Sequence, residues 1–266
     1  MYESHFGLSG RPFGETALAT AYVATPSRDA AMRRLRYGLE YGQGPVLLMG
    51  ASGVGKSLLA GRLAADMAAT AVHLTYPAMS AADLLAYLAE EFSSGPVESS
   101  SAASALRRLR EALTALVADG GRPMLIVDEA QLLPEDSFEV LRLLLNFQVA
   151  GAPALAMAVV GSDDVAWRLP ATLLDRLAAR HTLPCLTLSE TAAYVAGRLA
   201  AAGARGPLFI PEALSALHHA ALGVPRRLNH VADLALLIGF AEGAKVVDAR
   251  VVGIAAREFQ ADHLAA

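Results

Sequence analysis

The sequence predicts an α/β fold, a parallel sheet with crossover helices, followed by an all-helical C-terminal part. Three observations predict it. Short apolar segments alternate with helix-spaced amphipathic ones from residue 28 to about residue 186, the rhythm of βαβ units. Leu125, Ile126 and Val127, and again Ala156 to Val160, are unbroken apolar runs, as strands covered on both faces require. Beyond Ser189 only helical periodicity remains.

Residues 1–26 carry Gly and Pro with scattered aromatics (Tyr2, Phe6, Phe13, Tyr22) and are expected as an extended segment packed on the α/β domain. Ser27 is placed to cap a helix from Arg28 to Tyr41, in which Ala31, Leu35 and Leu39 recur every four residues before Gly42 and Gly44 end the run. Strands are expected over 45–49, 71–75, 123–127 and 154–160, and helices over 56–69, 81–92, 102–118 and 135–148. Ser93 to Ser101, rich in Ser with Gly and Pro, reads as a surface loop. A last strand over 182–186 precedes Ser189, the expected cap of the first of four helices over 190–202, 211–221, 226–241 and 248–259. The α/β domain is therefore expected over 27–187 and the helical domain over 188–266.

A formal charge of -4 and a pI near 6.0 give no general attraction to phosphate backbones or anionic membranes. Cys185, the single cysteine, lies in the apolar stretch Leu183-Pro184-Cys185-Leu186 and is expected as a buried thiol in a reducing compartment. The amino terminus shows no basic-then-apolar leader, so a cytoplasmic location is expected. The longest uncharged apolar stretch, Val149 to Gly161, has 13 residues, short of the roughly 20 that span a bilayer. Trp167 and the methionines read as packing residues. The seven histidines show no metal-ligand spacing. Arg33-Arg34-Leu35-Arg36 and Arg107-Arg108-Leu109-Arg110 read as solvated helix faces, which makes DNA a lesser expectation.

The chemistry is carried by Gly50-Ala51-Ser52-Gly53-Val54-Gly55-Lys56-Ser57, a full match to the phosphate-loop pattern between an apolar strand and a helix. Glycines let the backbone curl around an anion, and the loop N–H groups converge with the helix amino terminus on the phosphates. Lys56 adds positive charge at the β and γ oxygens, and the Ser57 hydroxyl can ligate Mg2+. Downstream, the apolar strand Met124–Val127 ends in Asp128 and Glu129. Asp128 can hold Mg2+ through water, and Glu129 can polarise the attacking water. No guanine-reading motif is present, so ATP is the expected nucleotide and hydrolysis the expected reaction.

Beyond these motifs, the chain resembles the AAA+ ATPases of the general-secretion-pathway protein A (ExeA-type) family over nearly its whole length. The resemblance rests on Met1-Tyr2, His5-Phe6-Gly7-Leu8 and Pro12-Phe13, on Leu141-Arg142-Leu143-Leu144-Leu145-Asn146-Phe147, and on Gly223-Val224-Pro225-Arg226-Arg227-Leu228-Asn229. It implies a P-loop NTPase domain with a parallel five-stranded sheet in the order 5-1-4-3-2, a C-terminal helical lid, and ATP bound at a subunit boundary of a homo-oligomer. It also implies that Arg226 is the lid arginine that senses the γ-phosphate. Arg176 falls at the arginine finger that reaches a neighbouring subunit, with Arg180 in reserve.

The chain departs from the family where Gly-Gln usually follows the fourth strand. Here Gly161-Ser162 stands instead, leaving Ser162 as the candidate sensor 1 group. Many members continue into a membrane helix and a peptidoglycan-binding domain, so direct attachment to the envelope is not implied for this chain.

The function expected is an ATP-hydrolysing switch or assembly factor for a secretion or envelope-export system, reaching the inner membrane only through partners. The alternative is a DNA-bound regulator similar to transposon-targeting ATPases, and a non-hydrolysing nucleotide scaffold is a third.

Overall fold

A computed structural model describes residues 1–14, 22–41, 44–93 and 101–264. The chain divides into two compact units, one of Ala30–Ala51 with Leu59–Leu183 and one of Met1–Asp29, Ser52–Leu58 and Pro184–Ala266.

The first unit is built on a five-stranded parallel sheet: β1 (Val46–Met49), β2 (Thr70–Leu74), β3 (Pro123–Val127), β6 (Ala156–Gly161) and β7 (Ala179–Thr182). Their order is β2-β3-β6-β1-β7, the order 5-1-4-3-2 read from the other edge. The apolar runs in β1, β3 and β6 are buried along nearly their whole length, because helices cover both faces of a parallel sheet. Register places Leu47 beside Val159 and Leu125 beside Met157. Helices α4 (Ala81–Ser93), α5 (Ala102–Ala118) and α6 (Glu135–Leu144) close the core with Leu84, Leu88, Leu109, Leu113, Phe138 and Leu141. Each such side chain contributes about 1.5–3 kcal/mol of burial.

Several boundaries differ from expectation. The last strand is Ala179–Thr182 rather than 182–186. Leu183 and Leu186 are apolar because they are buried beyond the ladder, whereas the ladder itself uses a half-exposed, largely polar edge segment. Helix α6 stops at Leu144, and a short hairpin of β4 (Gln148–Val149) and β5 (Ala152–Pro153) follows. Its turn is made by Ala150 and Gly151, both at positive φ. Trp167, expected in packing, is 91% exposed. In the one-turn helix α7 (Val165–Arg168), Val165 and Ala166 take the inward positions. A second one-turn helix, α8 (Ala171–Leu174), buries Leu173. Of the expected Ser93–Ser101 loop, Ser93 closes α4 and Ser101 caps α5 by accepting from Ser104 N–H. Residues 94–100 lie outside the described residues.

The second unit is helical: α9 (Leu188–Ala201), α10 (Pro211–Ala221), α11 (Pro225–Ala241) and α12 (Ala249–Leu264). The segment expected to lie extended on the α/β domain instead forms helix α1 (Tyr2–Phe6) and joins this unit. Tyr2, Phe6, Leu8 and Phe13 enter one core with Tyr194, Leu217, Leu228, Leu236 and Val251. Those aromatics need an apolar acceptor, and the helices supply it. Buried Arg198 donates to the Pro12 carbonyl at 2.8 Å, and Tyr2 and Arg11 both bond to Asp233. Thr187, not Ser189, caps α9, in a capping box with Glu190. Helix α2 (Pro26–Tyr41) begins before Ser27, and the Thr25 carbonyl accepts its first bond, from Asp29 N–H. Cys185 is exposed rather than buried, while Leu183 and Leu186 on either side of it are buried. No helix among the described residues is long and apolar enough to cross a membrane.

Candidate functional site

Strand β1 ends at Met49, and the phosphate loop Gly50–Ser57 leads into α3 (Lys56–Asp66). Gly53 and Gly55 stand at φ 81° and 99°, a region that L side chains avoid. Gly53 is also constrained from outside: a Cβ there would come within 2.9 Å of Arg226 Cβ and 3.2 Å of Val224 Cγ1. Arg226 N–H donates to the Gly53 carbonyl at 3.2 Å, and its guanidinium reaches Ser52 Oγ at 3.5 Å. The arginine sits in the first turn of α11, where the helix dipole disfavours a cation. A pull from outside the helix explains it better than helix stability does. Lys56 is 7% exposed at the start of α3. The structure thus brings Ser52, Gly53 and Arg226 together.

Arg28, which the sequence reading passed over, lies against the same loop. It is 6% exposed, donates to the Val54 carbonyl at 2.9 Å and Thr25 Oγ1 at 3.2 Å, and stands 4.0 Å from where a Gly55 Cβ would be. Burial pulls its pKa below the ordinary arginine value. The only signal in the sequence is a cation in the first turn of a helix, which is too common to single out.

In the α/β unit, Asp128 follows β3 and is 6% exposed. Its Oδ1 accepts from Glu129 N–H at 2.9 Å, and its Oδ2 lies 3.3 Å from His73 Nε2. Glu129 is exposed, with a left-handed backbone at φ 47° and ψ 40°. A non-glycine residue held there costs on the order of 1–3 kcal/mol, and such residues cluster at functional sites. Gln131 Nε2 donates to Glu129 Oε2, and Gln131 Oε1 accepts from Ser162 N–H at 3.2 Å. A Cβ on Gly161 would come within 2.8 Å of that Oε1, so the close approach requires glycine. The Ser162 hydroxyl is turned to Asp164 Oδ1. Contact with Glu129 therefore runs through Gln131 and the Ser162 backbone.

The chain is similar to known proteins in sequence and in fold. The AAA domain family matches residues 39–169, from α2 through the phosphate loop and the two carboxylates to α7. General secretion pathway protein A of Aeromonas hydrophila is 34% identical over 97% of this chain. The chain carries an AAA domain. It spans about half, 48%, of that relative's length. Among solved structures, the ORC2 protein of Aeropyrum pernix superposes with a TM-score of 0.68 at 19% identity, over 93% of this chain and 71% of that one. A RuvB variant of Thermotoga maritima gives 0.63 at 17% identity, over 90% and 72%. At these identities the structural likeness speaks for the fold alone.

In this AAA-domain protein Arg176 is not part of the carboxylate cluster. It is exposed, donates to Asn146 Oδ1 at 2.8 Å, and lines a cleft with Gly44, Gln148 and Asp175. Arg180 is also exposed, on edge strand β7. His73, Gln131 and Asn146 went unassigned in the sequence reading. Each acts through a contact between segments distant in sequence or through a turn, and no local pattern encodes either.

Proposed function

We propose that this AAA-domain protein binds ATP with Mg2+, hydrolyses it, and works as a nucleotide-dependent homo-oligomeric switch or assembly factor. The observation that carries the reading is Glu129: a strained carboxylate beside a buried aspartate at the end of β3, tied through Gln131 to the end of β6. A carboxylate held at such cost suits a general base.

The roles follow from the chemistry of each group. Backbone N–H groups of Gly50, Ala51, Ser52, Gly53, Val54 and Gly55 cradle the phosphates, and Lys56 neutralises the β and γ oxygens. The Asp128 carboxylate and Ser57 hydroxyl are hard oxygen donors of the kind Mg2+ prefers. When bound, Mg2+ offsets charge on the phosphate oxygens. Glu129 accepts the proton of the attacking water, and Gln131 aims it. Arg226 tracks the γ-phosphate and Ser162 serves as the sensor 1 group. Arg176 acts on the ATP of a neighbouring copy, with Arg180 in reserve. The name of the Aeromonas relative supports service to a secretion or envelope-export system, from the cytoplasm and through partners at the inner membrane.

The test is steady-state ATP hydrolysis per subunit against protein concentration, with Glu129→Gln as the blank. A rate per subunit that rises with concentration and vanishes in the variant supports the reading. Full turnover by Glu129→Gln, or a rate independent of concentration, refutes the base or the shared site respectively.

A further inference from the structure

Helix α2 turns Ala31, Leu35 and Gly38 inward, with Gly38 so close to the sheet that a Cβ would come within 2.7 Å of Ala179 Cβ on β7. The opposite side carries Arg33, Arg34, Tyr37 and Tyr41, all exposed. Helical spacing puts these four on one stripe, the arginines one turn, about 5.4 Å, before Tyr37 and the tyrosines one turn apart. Tyr37 and Tyr41 are 68% and 73% exposed, and their rings lie 5.1 Å apart with planes inclined by 36°. Arg36 is engaged by Glu40 on the same exposed side. Among the described residues neither Arg33 nor Arg34 has an ion-pair partner. Beside Arg34 on β7 is His181, whose buried Nε2 has no hydrogen-bond partner among the described residues. The acidic side chain on this exposed side, Glu40 next to Arg33 and Tyr41, is paired with Arg36, so Arg33 and Arg34 leave the stripe positive although the whole chain carries a charge of -4.

We infer that this stripe binds single-stranded nucleic acid, with phosphates on Arg33 and Arg34 and bases stacked on Tyr37 and Tyr41. Two cations followed by two open aromatic faces are the pairing that a strand of alternating phosphates and bases fits. An acidic peptide would satisfy the arginines and leave the rings unused. A lipid surface would find no aliphatic side chain on the stripe. A duplex keeps its bases stacked on one another and offers the rings nothing to pair with. The site is separate from the phosphate loop, so the inference does not rest on the ATP chemistry.

The experiment is fluorescence anisotropy of a labelled oligothymidine of about 20 nucleotides, without ATP. Two phosphate contacts predict about a sevenfold loss of affinity for a fourfold rise in salt. Tyr37→Ala with Tyr41→Ala should weaken binding at least tenfold, whereas Tyr37→Phe with Tyr41→Phe should keep it within about twofold. Arg33→Glu with Arg34→Glu should abolish it. Thermal melts establish that the variants are folded, and the tyrosine variants should leave ATP turnover unchanged. No anisotropy change up to about 100 μM protein at low salt would overturn the inference. So would binding that ignores the tyrosine-to-alanine and the arginine-to-glutamate double variants, equal affinity for duplex, or a change of sedimentation in the variants without oligonucleotide, which would make the stripe an interface between copies.

Discussion

Replacing Gly53 by alanine tests whether the phosphate loop and Arg226 are packed as one body. At φ 81° an L residue costs about 1–2 kcal/mol. The new methyl would also lie 2.9 Å from Arg226 Cβ, an atom fixed to its helix backbone, which adds about 1–3 kcal/mol of overpacking. Gly243 supplies the control. It stands at φ 70° just beyond the other end of the same helix, and a Cβ there would meet nothing within 4 Å. Gly243→Ala therefore carries the backbone penalty without the contact. The gap between the variants, about 1–3 kcal/mol, corresponds to about 3–9 °C at roughly 3 °C per kcal/mol. Paired thermal melts measure it, and titration with a fluorescent ADP analogue reads the loop: affinity should fall in Gly53→Ala and hold in Gly243→Ala. Equal melting temperatures together with equal nucleotide affinities would show that the loop does not depend on its packing against Arg226.

Glu129→Gln should keep ATP affinity within about twofold while turnover drops about 10²–10⁴-fold, the usual worth of a general base; parallel binding and phosphate-release assays separate the two. Arg176→Ala should lose about 10³-fold or more in turnover, and mixing it with Glu129→Gln should restore part of the rate, since one copy supplies the base and the other the arginine. No recovery on mixing would place Arg176 in its own subunit's chemistry or outside it. Burial raises the Glu190 pKa, but N–H donors from Thr187 and Ser27 outweigh that and lower it from 4.5 to about 2. A depressed folded value means the stabilisation is present above pH 4.5, on the order of 3 kcal/mol, and lost as pH falls toward 2. Glu190→Gln should be less stable at pH 7 and show a flatter acid-denaturation curve between pH 5 and 2.

The parts legible in the sequence were those where one segment carries its own reason. Gly50–Ser57 and Met124–Glu129 are local patterns whose residue types are dictated by phosphate and metal chemistry, and β1, β3 and β6 are apolar because both faces are covered. Edge strand β7 was misplaced since pairing needs backbone groups only, and its side chains Arg180 and Thr182 are free to be polar. Tyr2, Phe6 and Phe13 announced burial without saying against what. Arg28 and Gln131 act through contacts with residues far along the chain or through a turn, so their types alone, an arginine near a helix start and a glutamine in a loop, carry no distinguishing mark. Trp167 misled because size was read as burial, and at the tip of a one-turn helix its neighbours had already filled the inward side.

The helical unit is assembled from three stretches of chain, its first 29 residues, the heart of the phosphate loop, and everything after residue 183. Synthesis at 5–20 residues per second delivers the loop roughly 8–34 s before Arg226, which packs against it. During that interval the α/β core can close while Tyr2, Phe6 and Phe13 stay exposed, because the helices that will cover them do not yet exist. The nascent protein therefore passes through a stage with its sheet formed, its aromatic leader uncovered and Arg226 unmade, and that stage is where a chaperone would find it.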